Sequence, residues 1–273
     1  MKKSGRNSLL LRFLILALIV SPGFTNHASA GTLDSVSHIH HVKVVEKKVL
    51  VLTHEGLYEL VGENDIKLVG KDKIDVMGLT SLGKVLVASG HPAQNSKMTN
   101  PIGLVRSTDG GSSWKAVSLV GKVDFHSLEG AGSELYGADS QSGNSLYSSD
   151  TGKTWRSLGT NTFADIAVSP EMSEMAVALK GSKLLLTEDA FKSTKELKNN
   201  FKFTQVEWRN SGLYALSGNT LYRSLDSGKT WTKLSTFKGS TGILSASDQL
   251  MLVTVGSDIY TSANSGKSFK QIP

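Results

Sequence analysis

The strongest constraint on the fold of this chain is a nine-residue pattern that recurs at nearly constant spacing. It reads RSTDGGSSW at 106–114, YSSDTGKTW at 147–155, RSLDSGKTW at 223–231 and TSANSGKSF at 261–269, with a degenerate copy, TEDAFKST, at 187–194. The equivalent positions Asp109, Asp150, Asp189, Asp226 and Asn264 are 41, 39, 37 and 38 residues apart. A period of about 40 residues is typical of an architecture in which each repeat is one structural unit.

Each repeat contains short runs rich in Leu, Val, Tyr and Phe, separated by Gly, Ser, Asn and Asp, which indicates β-strands. Between 201 and 237 the runs are FTQVEWR, LYALS, TLYRS and TWTKL, and a comparable set, HIHHVKV, KVLVLT, GLYEL and IKLVG, occupies 38–70. Four strands in about 40 residues is typical of one β-propeller blade. We therefore predict an all-β fold, a β-propeller of four-stranded blades.

The predicted propeller is a single domain, residues 31–273, which at about 40 residues per blade holds six blades. Their predicted bounds are about 36–72, 73–120, 121–160, 161–200, 201–237 and 238–273. The sixth blade uses the chain up to Ile272. We therefore expect the ring to close by packing of the first blade on the sixth, unless residues 31–37 add a strand.

Residues 1–30 have the three parts of a secretory signal peptide. A basic start with Lys2, Lys3, Arg6 and Arg12 precedes an apolar run at 14–20 and the small-residue site ASA at 28–30. The apolar run is shorter than the roughly 20 residues of a membrane span, and no longer apolar run follows it. We expect cleavage before Gly31 and a secreted, extracytoplasmic protein without a membrane span.

Removal of this segment makes the chain nearly neutral. The segment carries four of the 30 Lys and Arg and none of the 24 Asp and Glu, so 26 basic residues remain against 24 acidic ones. This balance gives no support for nucleic-acid binding. The chain has no cysteine, which excludes disulfides and thiolate metal sites. We expect a monomer that is held together by its hydrophobic core.

The residue types in the nine-residue pattern suit a tight turn between the third and fourth strands of a blade. Asp or Asn can accept hydrogen bonds from backbone N–H groups of its own turn, Ser can support it, and Gly adopts positive φ at little cost. The aromatic residue can bury its ring between sheets. We predict a structural role for Asp109, Trp114, Asp150, Trp155, Asp226, Trp231 and Asn264.

These turns resemble the Asp-box (BNR) repeats of sialidases, sortilin-type receptors and photosystem-II assembly propellers, in which the boxes are structural and peripheral. The motifs HIHHVKV, THEGLYEL, DVMGLT, ASGHP, NPIGLVRSTDGGSSW and VDFHSLE, in that order, resemble the short secreted bacterial Asp-box proteins often called glycosyl hydrolase or exo-α-sialidase. The resemblance covers mainly the N-terminal half and departs at His41, where that family more often has Gly. It implies a sialidase-like propeller with a possible glycosidase activity.

A sialidase clamps the carboxylate of its substrate with several arginines. After residue 30 the chain has four, Arg106, Arg156, Arg209 and Arg223, and three of them flank the repeated turns. This placement argues against sialidase activity. A general glycosidase needs only two carboxylates about 5 to 9.5 Å apart. The candidates are Asp75, Asp124, Asp165 and Glu207, and their spacing selects no pair.

All six histidines after residue 30 lie in the first three predicted blades: His38, His40, His41, His54, His91 and His126. Antiparallel strand order places the entry to each inner strand, and each second-to-third loop, on the face opposite the repeated turns. Alignment of the inner strands puts His38 level with Asp75 and Asp124, and His40 level with Met77, His126, Asp165 and Glu207. We predict a ligand-binding face, bordered by the long loop at 91–101, that contains His38, His40, His54, Asp75, His91, Asp124 and His126.

Imidazoles that converge from several blades suit a transition metal such as Zn or Cu. The candidate metal ligands are His38, His40, His91 and His126. The alternatives are channel-lining polar groups that share hydrogen bonds and water, and groups for acid–base chemistry or sugar contact. The sequence thus favours a secreted module that binds a glycan, a metal or a protein, with a glycoside hydrolase as the alternative.

Overall fold

The computed structural model of the protein describes residues 31–94, 96–160, 163–240, 242–256 and 258–272. The predicted signal peptide at 1–30 lies outside the described residues. The described chain forms six antiparallel sheets of four strands around a common axis, with a fifth strand added to the first sheet. The fold is an all-β propeller, and the predicted number of six blades is confirmed.

The strands follow one another blade by blade. Blade 1 contains β1 Gly31–Thr32, a 3-10 helix Leu33–Ser35, β2 Ile39–Val45, β3 Lys48–Thr53, β4 Gly56–Leu60 and β5 Asp65–Leu68. Blade 2 contains β6 Asp75–Leu82, β7 Val85–His91, β8 Leu104–Ser107 and β9 Lys115–Ser118. Blade 3 contains β10 Phe125–Ala131, β11 Glu134–Asp139, β12 Asn144–Ser148 and β13 Arg156–Thr160.

The second half of the ring repeats this arrangement. Blade 4 contains β14 Asp165–Val168, β15 Ala176–Lys180, β16 Lys183–Thr187 and β17 Lys195–Leu197. Blade 5 contains β18 Gln205–Arg209, β19 Gly212–Ser217, β20 Thr220–Ser224 and β21 Thr232–Thr236. Blade 6 contains β22 Gly242–Ala246, β23 Met251–Val255, β24 Asp258–Ser262 and β25 Lys270–Ile272. The inner strands that contact one another around the axis are β2, β6, β10, β14, β18 and β22.

The hydrophobic core lies between neighbouring blades. Both faces of each sheet are covered, so a strand such as β3 is an unbroken apolar run rather than an alternating one. Between blades 1 and 2, Leu52 and Leu57 share one buried cluster with Val76 and Leu79. Full burial of each such side chain stabilises the fold by about 1.5–3 kcal/mol.

The repeated turns join the third and fourth strands of blades 2 to 6. In blade 3, Ser148 Oγ donates to Asp150 Oδ1 at 2.8 Å and accepts the backbone N–H of Gly152 at 2.9 Å. The backbone N–H and the hydroxyl of Thr154 donate to the two oxygens of Asp150 at 2.9 and 2.7 Å. These hydrogen bonds, those of Thr154 foremost, lower the pKa of Asp150 to about 2. Both oxygens of this carboxylate are therefore used to hold its own turn.

The degenerate copy in blade 4 forms the same turn although Phe191 stands in place of glycine. Thr187 Oγ1 donates to Asp189 at 2.9 Å and accepts the backbone N–H of Phe191 at 2.8 Å. Phe191 has a φ of +62°, a left-handed conformation that costs a non-glycine residue about 1–2 kcal/mol. Its ring lies 4.7 Å from that of Phe163, and this packing offsets part of the cost.

The ring closes by packing of blade 1 on blade 6, as the sequence predicted. The N-terminal strand β1 pairs with β5, on the outer edge of its own blade, and does not bridge to blade 6. Across the seam, Val42, Val44 and Val49 pack with Leu252, and the backbone N–H of Val44 donates to Ser245 Oγ at 2.9 Å. A cavity of about 340 Å³ with a largely apolar lining remains in this seam.

The antiparallel blades define two faces of the propeller. The loops that lead into the inner strands share one face, called the entry face below, with the second-to-third loops. The repeated turns lie on the opposite face with the first-to-second turns; in blade 3 the backbone N–H of Thr151 donates to the carbonyl of Ser133 at 2.7 Å. Among the described residues, no helix has the length and apolar character that crossing a membrane requires.

Candidate ligand-binding site

The inner strands of blades 1, 2 and 3 each carry a β-bulge close to the entry face. In β2 the pairing passes from Ile39 directly to His41, so His40 is the extra residue. The extra residues of β6 and β10 are Met77 and His126. The described parts of β14, β18 and β22 pair without such a shift. A bulge re-aims the side chain of the extra residue, and all three bulges lie in the half of the ring that holds the histidines.

The first cluster of histidines, called the Asp75 cluster, joins blades 1 and 2. His40 Nε2 lies 2.8 Å from Asp75 Oδ1, and His54 Nδ1 lies 2.9 Å from Asp75 Oδ2. The two ring nitrogens are 3.1 Å apart. The ring of His38 has its centroid 5.0 Å from that of His40 and 5.3 Å from that of His54. Burial lowers the pKa of His40, although the adjacent Asp75 carboxylate opposes this effect. The lowered pKa favours the neutral ring.

Local structure holds each member of the Asp75 cluster in place. His40 is the bulged residue of β2, and Asp75 is the first residue of β6. His54 lies in the two-residue turn between β3 and β4, where Thr53 Oγ1 donates to the carbonyl of Gly56 at 2.9 Å. The side chain of His40 is 8% exposed and that of His54 is 51% exposed. The cluster therefore extends from the channel wall to the surface.

The second cluster, called the Asp124 cluster, joins blades 2 and 3. Asp124 Oδ2 lies 2.9 Å from His126 Nε2, 3.3 Å from His91 Nε2 and 2.9 Å from the Ser140 hydroxyl, which donates to it. Burial opposes ionisation of Asp124, but the hydrogen bonds from His126 and Ser140 hold its pKa below the usual value. The same hydrogen bond raises the pKa of His126. Asp124 Oδ1 is buried and has no hydrogen-bond partner among the described residues.

A buried ionic cluster lies below the histidines in the channel wall. Lys43 Nζ binds a carboxylate oxygen of Glu129 and lies 3.5 Å from Glu207 Oε1, and Arg209 binds the other oxygen of Glu207 at 2.5 Å. Burial disfavours the charge on Lys43, yet the two carboxylates raise its pKa. Burial raises the pKa of Glu129, whereas Arg209 and Lys43 outweigh burial and lower that of Glu207. Charges of opposite sign thus compensate one another inside the ring.

A cavity of about 140 Å³ connects the two levels of the channel. Its lining includes Met77 and His126 near the entry face and Lys43, Glu129 and Asp165 further in. Asp165 Oδ2 accepts the backbone N–H of Val206 at 2.8 Å. Desolvation outweighs this hydrogen bond and raises the pKa of Asp165 to about 8. At neutral pH this carboxyl group is mostly protonated.

The predicted alignment of the inner strands holds for blades 1 to 3 but is wrong for Glu207 and Asp165. The pairs Val45–Lys48, Ala131–Glu134 and Arg209–Gly212 each close a two-residue turn. Lys43, Glu129 and Glu207 each lie two residues before such a pair, so Glu207 is level with Lys43 rather than with His40. Asp165 pairs with Leu179 as His41 pairs with Leu52, one position beyond His40. The inner strands of blades 1 to 3 each contain one extra residue at a bulge, whereas the described inner strands of blades 4 and 5 do not, and the alignment did not account for this difference.

The structure divides the predicted ligand-binding residues into the two clusters described above. His38, His40 and His54 offer ligand atoms within 4.8 Å of one another, whereas His91 and His126 bind Asp124. The four predicted metal candidates are split between the clusters, and His54 joins the first of them. The loop after His91 contributes Asn100, whose Oδ1 lies 2.8 Å from His91 Nδ1.

The carboxylates proposed for glycosidase chemistry all have partners. Asp75 and Asp124 contact histidines, Asp165 accepts backbone N–H groups, and Glu207 is paired with Arg209. Arg156 lies over the ring of Tyr147 at 4.4 Å in the outer part of blade 3, away from the channel lining. Sequence reasoning missed Lys43 and Glu129, because a charged residue that is buried cannot be distinguished from one on the surface in a one-dimensional pattern.

Comparison with known proteins places the chain among propellers of several functions. No protein-family model matches it. Among curated proteins it is similar to the photosystem II assembly lipoprotein Ycf48 of Prochlorococcus marinus (strain MIT 9313), with 25% identity over 178 residues. The match covers 61% of this chain and 50% of that protein, so the chain spans about half the length of the curated relative.

Solved structures share the fold at low sequence identity. A structure of YCF48 bound to D1 peptide matches with a TM-score of 0.53 and 15% identity, over 86% of this chain and 82% of that chain. PorZ, a surface component of the type-IX secretion system of Porphyromonas gingivalis, matches with a TM-score of 0.61 and 14% identity, over 89% and 34%. The GH74 xyloglucanase of Xanthomonas campestris matches with a TM-score of 0.56 and 12% identity, over 89% of this chain and 46% of that chain. At these identities the likeness concerns the fold of a six-bladed β-propeller.

Proposed function

We propose that this chain is a secreted β-propeller that binds a segment of another protein through its entry face. The observation that carries the proposal is the set of bulges in three adjacent blades, which place His40, Met77 and His126 at equivalent positions near the entry face. The side chains of His54 and His126 are about half exposed there, at 51% and 49%. Exposed imidazoles can donate or accept hydrogen bonds, and a rigid ring supports them.

The comparisons support a protein ligand. The YCF48 structure of similar fold is bound to a D1 peptide. Asp75 and Asp124 each contact histidines and do not form the pair of carboxylates without such partners that a glycosidase uses. The opposite face serves a different purpose: we assign its repeated turns to the Asp-box type and propose that they are structural.

Selection from a random peptide library displayed on phage tests the proposal. Peptides are selected on the wild-type protein in the presence of a chelator, and their affinities are measured for wild type and for a His54→Ala/His126→Ala variant. A Leu225→Ala variant is the control, because Leu225 is 75% exposed in a repeated turn on the opposite face. We expect the double variant to lose at least about tenfold in affinity, or 1.4 kcal/mol, and the control to lose none. Equal binding to all three proteins would contradict the proposal.

A glycoside hydrolase is the second candidate, and Asp165 is the observation in its favour. A carboxyl group with a pKa of about 8 is protonated at neutral pH, as a general acid must be. The test is release of reducing sugar from xyloglucan and cleavage of an aryl α-sialoside, by wild type and by Asp165→Asn. Turnover that Asp165→Asn abolishes would support the enzyme; equal background rates in both proteins would support the binding module.

We also propose that the protein is secreted after cleavage of residues 1–30. The basic, apolar and small-residue parts of that segment support the proposal. Expression of the full chain in a secreting bacterium, followed by N-terminal sequencing of the extracytoplasmic fraction, should give a protein that begins at Gly31. Recovery of the uncleaved chain in the cytoplasm would contradict it.

A further inference from the structure

We propose that His40, His54 and Asp75 bind one divalent transition-metal ion, with His38 as the fourth ligand. The site lies on the entry face and so deepens the proposed function, but it is argued from the geometry of the Asp75 cluster alone. Metal binding is also measured separately from peptide binding, so that either proposal can fail without the other.

Three polar groups converge in the Asp75 cluster, and hydrogen bonds cannot account for all three of the contacts among them. His40 Nε2, His54 Nδ1 and the Asp75 carboxylate form a triangle with edges of 3.1, 2.8 and 2.9 Å. Each ring nitrogen carries either one proton or one lone pair, so at most two edges can be hydrogen bonds. The third edge joins two protons or two lone pairs. A cation at this point would accept a lone pair from all three groups at once.

The size of the triangle suits a metal ion. In a tetrahedral zinc site with bonds of about 2.0–2.1 Å, the ligand atoms lie roughly 3.3 Å apart. The observed separations of 2.8 to 3.1 Å are slightly shorter, so small rotations of the three side chains would admit the ion. The groups come from a bulge, a tight turn and the start of a strand in two blades, which limits larger movement.

His38 completes the set. It precedes His40 by two residues, is exposed, and has a ring nitrogen within 4.8 Å of one ring nitrogen of His40 and one of His54. A rotation of its exposed ring, which contacts the rings of His40 and His54, would bring that nitrogen to the open side of the triangle. Removal of His38 should therefore weaken metal binding less than removal of His54, since a water molecule can fill the fourth position.

The ligand types select the class of metal. Three imidazoles and one carboxylate suit Zn²⁺, Cu²⁺ or Ni²⁺, whereas Mg²⁺ and Ca²⁺ prefer oxygen ligands. The Asp124 cluster differs, because His91, His126 and Ser140 all face the single oxygen Oδ2 of Asp124. His126 and Ser140 form hydrogen bonds to this one acceptor and His91 lies 3.3 Å from it, so the cluster provides a control at the same face.

The experiment is a calorimetric titration with ZnCl₂, and separately with MgCl₂, of the full chain expressed without a histidine tag. The protein is purified in whatever processed form the host cell produces. Bound metal is then removed with a chelator, and the chelator is removed by dialysis. His54→Ala and His38→Ala are compared with His126→Ala, the matched control, because His126 is exposed to almost the same degree as His54, 49% against 51%. Co²⁺ provides a second measurement through the visible spectrum of a tetrahedral site.

We expect one Zn²⁺ per chain and no heat from Mg²⁺. Removal of a group that only positions a metal ligand typically lowers metal affinity by roughly 10–100-fold. Because His54 is a ligand itself, His54→Ala should lower the affinity for Zn²⁺ by more than that. His38→Ala should lose less, and His126→Ala should bind Zn²⁺ like wild type. Failure of wild type to bind Zn²⁺, or equal losses in His54→Ala and His126→Ala, would overturn the site. The proposed function would stand even if the metal site failed this test, provided that peptides selected in the presence of a chelator bind the His54→Ala/His126→Ala variant more weakly than wild type.

Discussion

Val206, on the inner strand of blade 5, donates its backbone N–H to Asp165 Oδ2 of blade 4 at 2.8 Å. The backbone N–H of Ile166 donates to the other oxygen of Asp165 at 3.0 Å. Desolvation nevertheless raises the pKa of this carboxyl group to about 8, and the nearby carboxylates of Glu129 and Glu207 add to the effect. A contact between two blades therefore involves a group that holds a proton at neutral pH.

This raised pKa predicts that stability falls as the pH rises. The folded-state pKa of Asp165 lies above the unfolded value of 3.8, so its contribution is fully present below pH 3.8 and is lost as the pH rises through about 8. One proton contributes a slope of at most about 1.4 kcal/mol per pH unit. Asp165→Asn has no such proton. We expect its free energy of unfolding, measured in urea between about pH 5 and pH 8, to lack the part of the slope that wild type shows. Parallel profiles for the two proteins would contradict the assignment.

The buried ionic cluster predicts a large cost for loss of its central cation. Lys43→Met leaves Glu129 without a partner in a site where its side chain is 12% exposed. We expect a loss of about 3–5 kcal/mol in the free energy of unfolding, measured by urea denaturation. The double variant Lys43→Met/Glu129→Gln should recover part of it, because Arg209 still pairs with Glu207. A double-mutant cycle without coupling between Lys43 and Glu129 would show that the two charges do not compensate each other.

The sequence predicts the architecture because the repeated turn is local. Ser148, Asp150, Gly152 and Thr154 form their hydrogen bonds within one turn, so their spacing alone predicts the turn, the blade and the face opposite it. The degenerate copy with Phe191 was recognisable for the same reason, since Thr187, Asp189 and Ser193 keep their positions.

The candidate site was predictable only in part, because it depends on contacts between blades. Strand direction alone predicted that the histidines lie on one face. That prediction did not depend on which residues pair between neighbouring strands. The pairing of His40 and His54 with Asp75 depends on a bulge in β2, and the level of Glu207 depends on the lack of one in β18. A bulge adds one residue to a strand without a characteristic residue type, so a single sequence gives no signal for it.

The repeated turns predict different effects for two substitutions of Asp150. Asn264 already occupies this position in blade 6, where its Oδ1 accepts the backbone N–H of Ser268 at 3.0 Å and its amide donates to the Ser268 hydroxyl at 2.8 Å. Asp150→Asn should therefore keep most of the thermal stability at neutral pH, whereas Asp150→Ala should lower the melting temperature clearly.

The same turn has a dependence on pH of the opposite sign to that of Asp165. The pKa of Asp150 is lowered from 3.8 to about 2, so its contribution is present above pH 3.8 and is lost as the pH falls through about 2. Scanning calorimetry in acid should show wild type losing stability in that range and Asp150→Asn losing less. An Asn variant as unstable as the Ala variant at neutral pH would mean that the charge, rather than the acceptor geometry, holds the turn.

The seam between blades 1 and 6 predicts a substitution that stabilises the ring. Val49 lines the cavity of about 340 Å³, so Val49→Ile can place its added methylene in existing space. We expect a gain of up to about 0.8 kcal/mol in the free energy of unfolding. Val177→Ile is the control, because Val177 is 0% exposed in the core between blades 4 and 5 and does not line the cavity of about 190 Å³ found there, so an extra methylene should cost about 1–3 kcal/mol. Urea denaturation of both variants is the measurement. A loss of stability in Val49→Ile as large as that in Val177→Ile would show that the cavity in the seam cannot accept the added methylene.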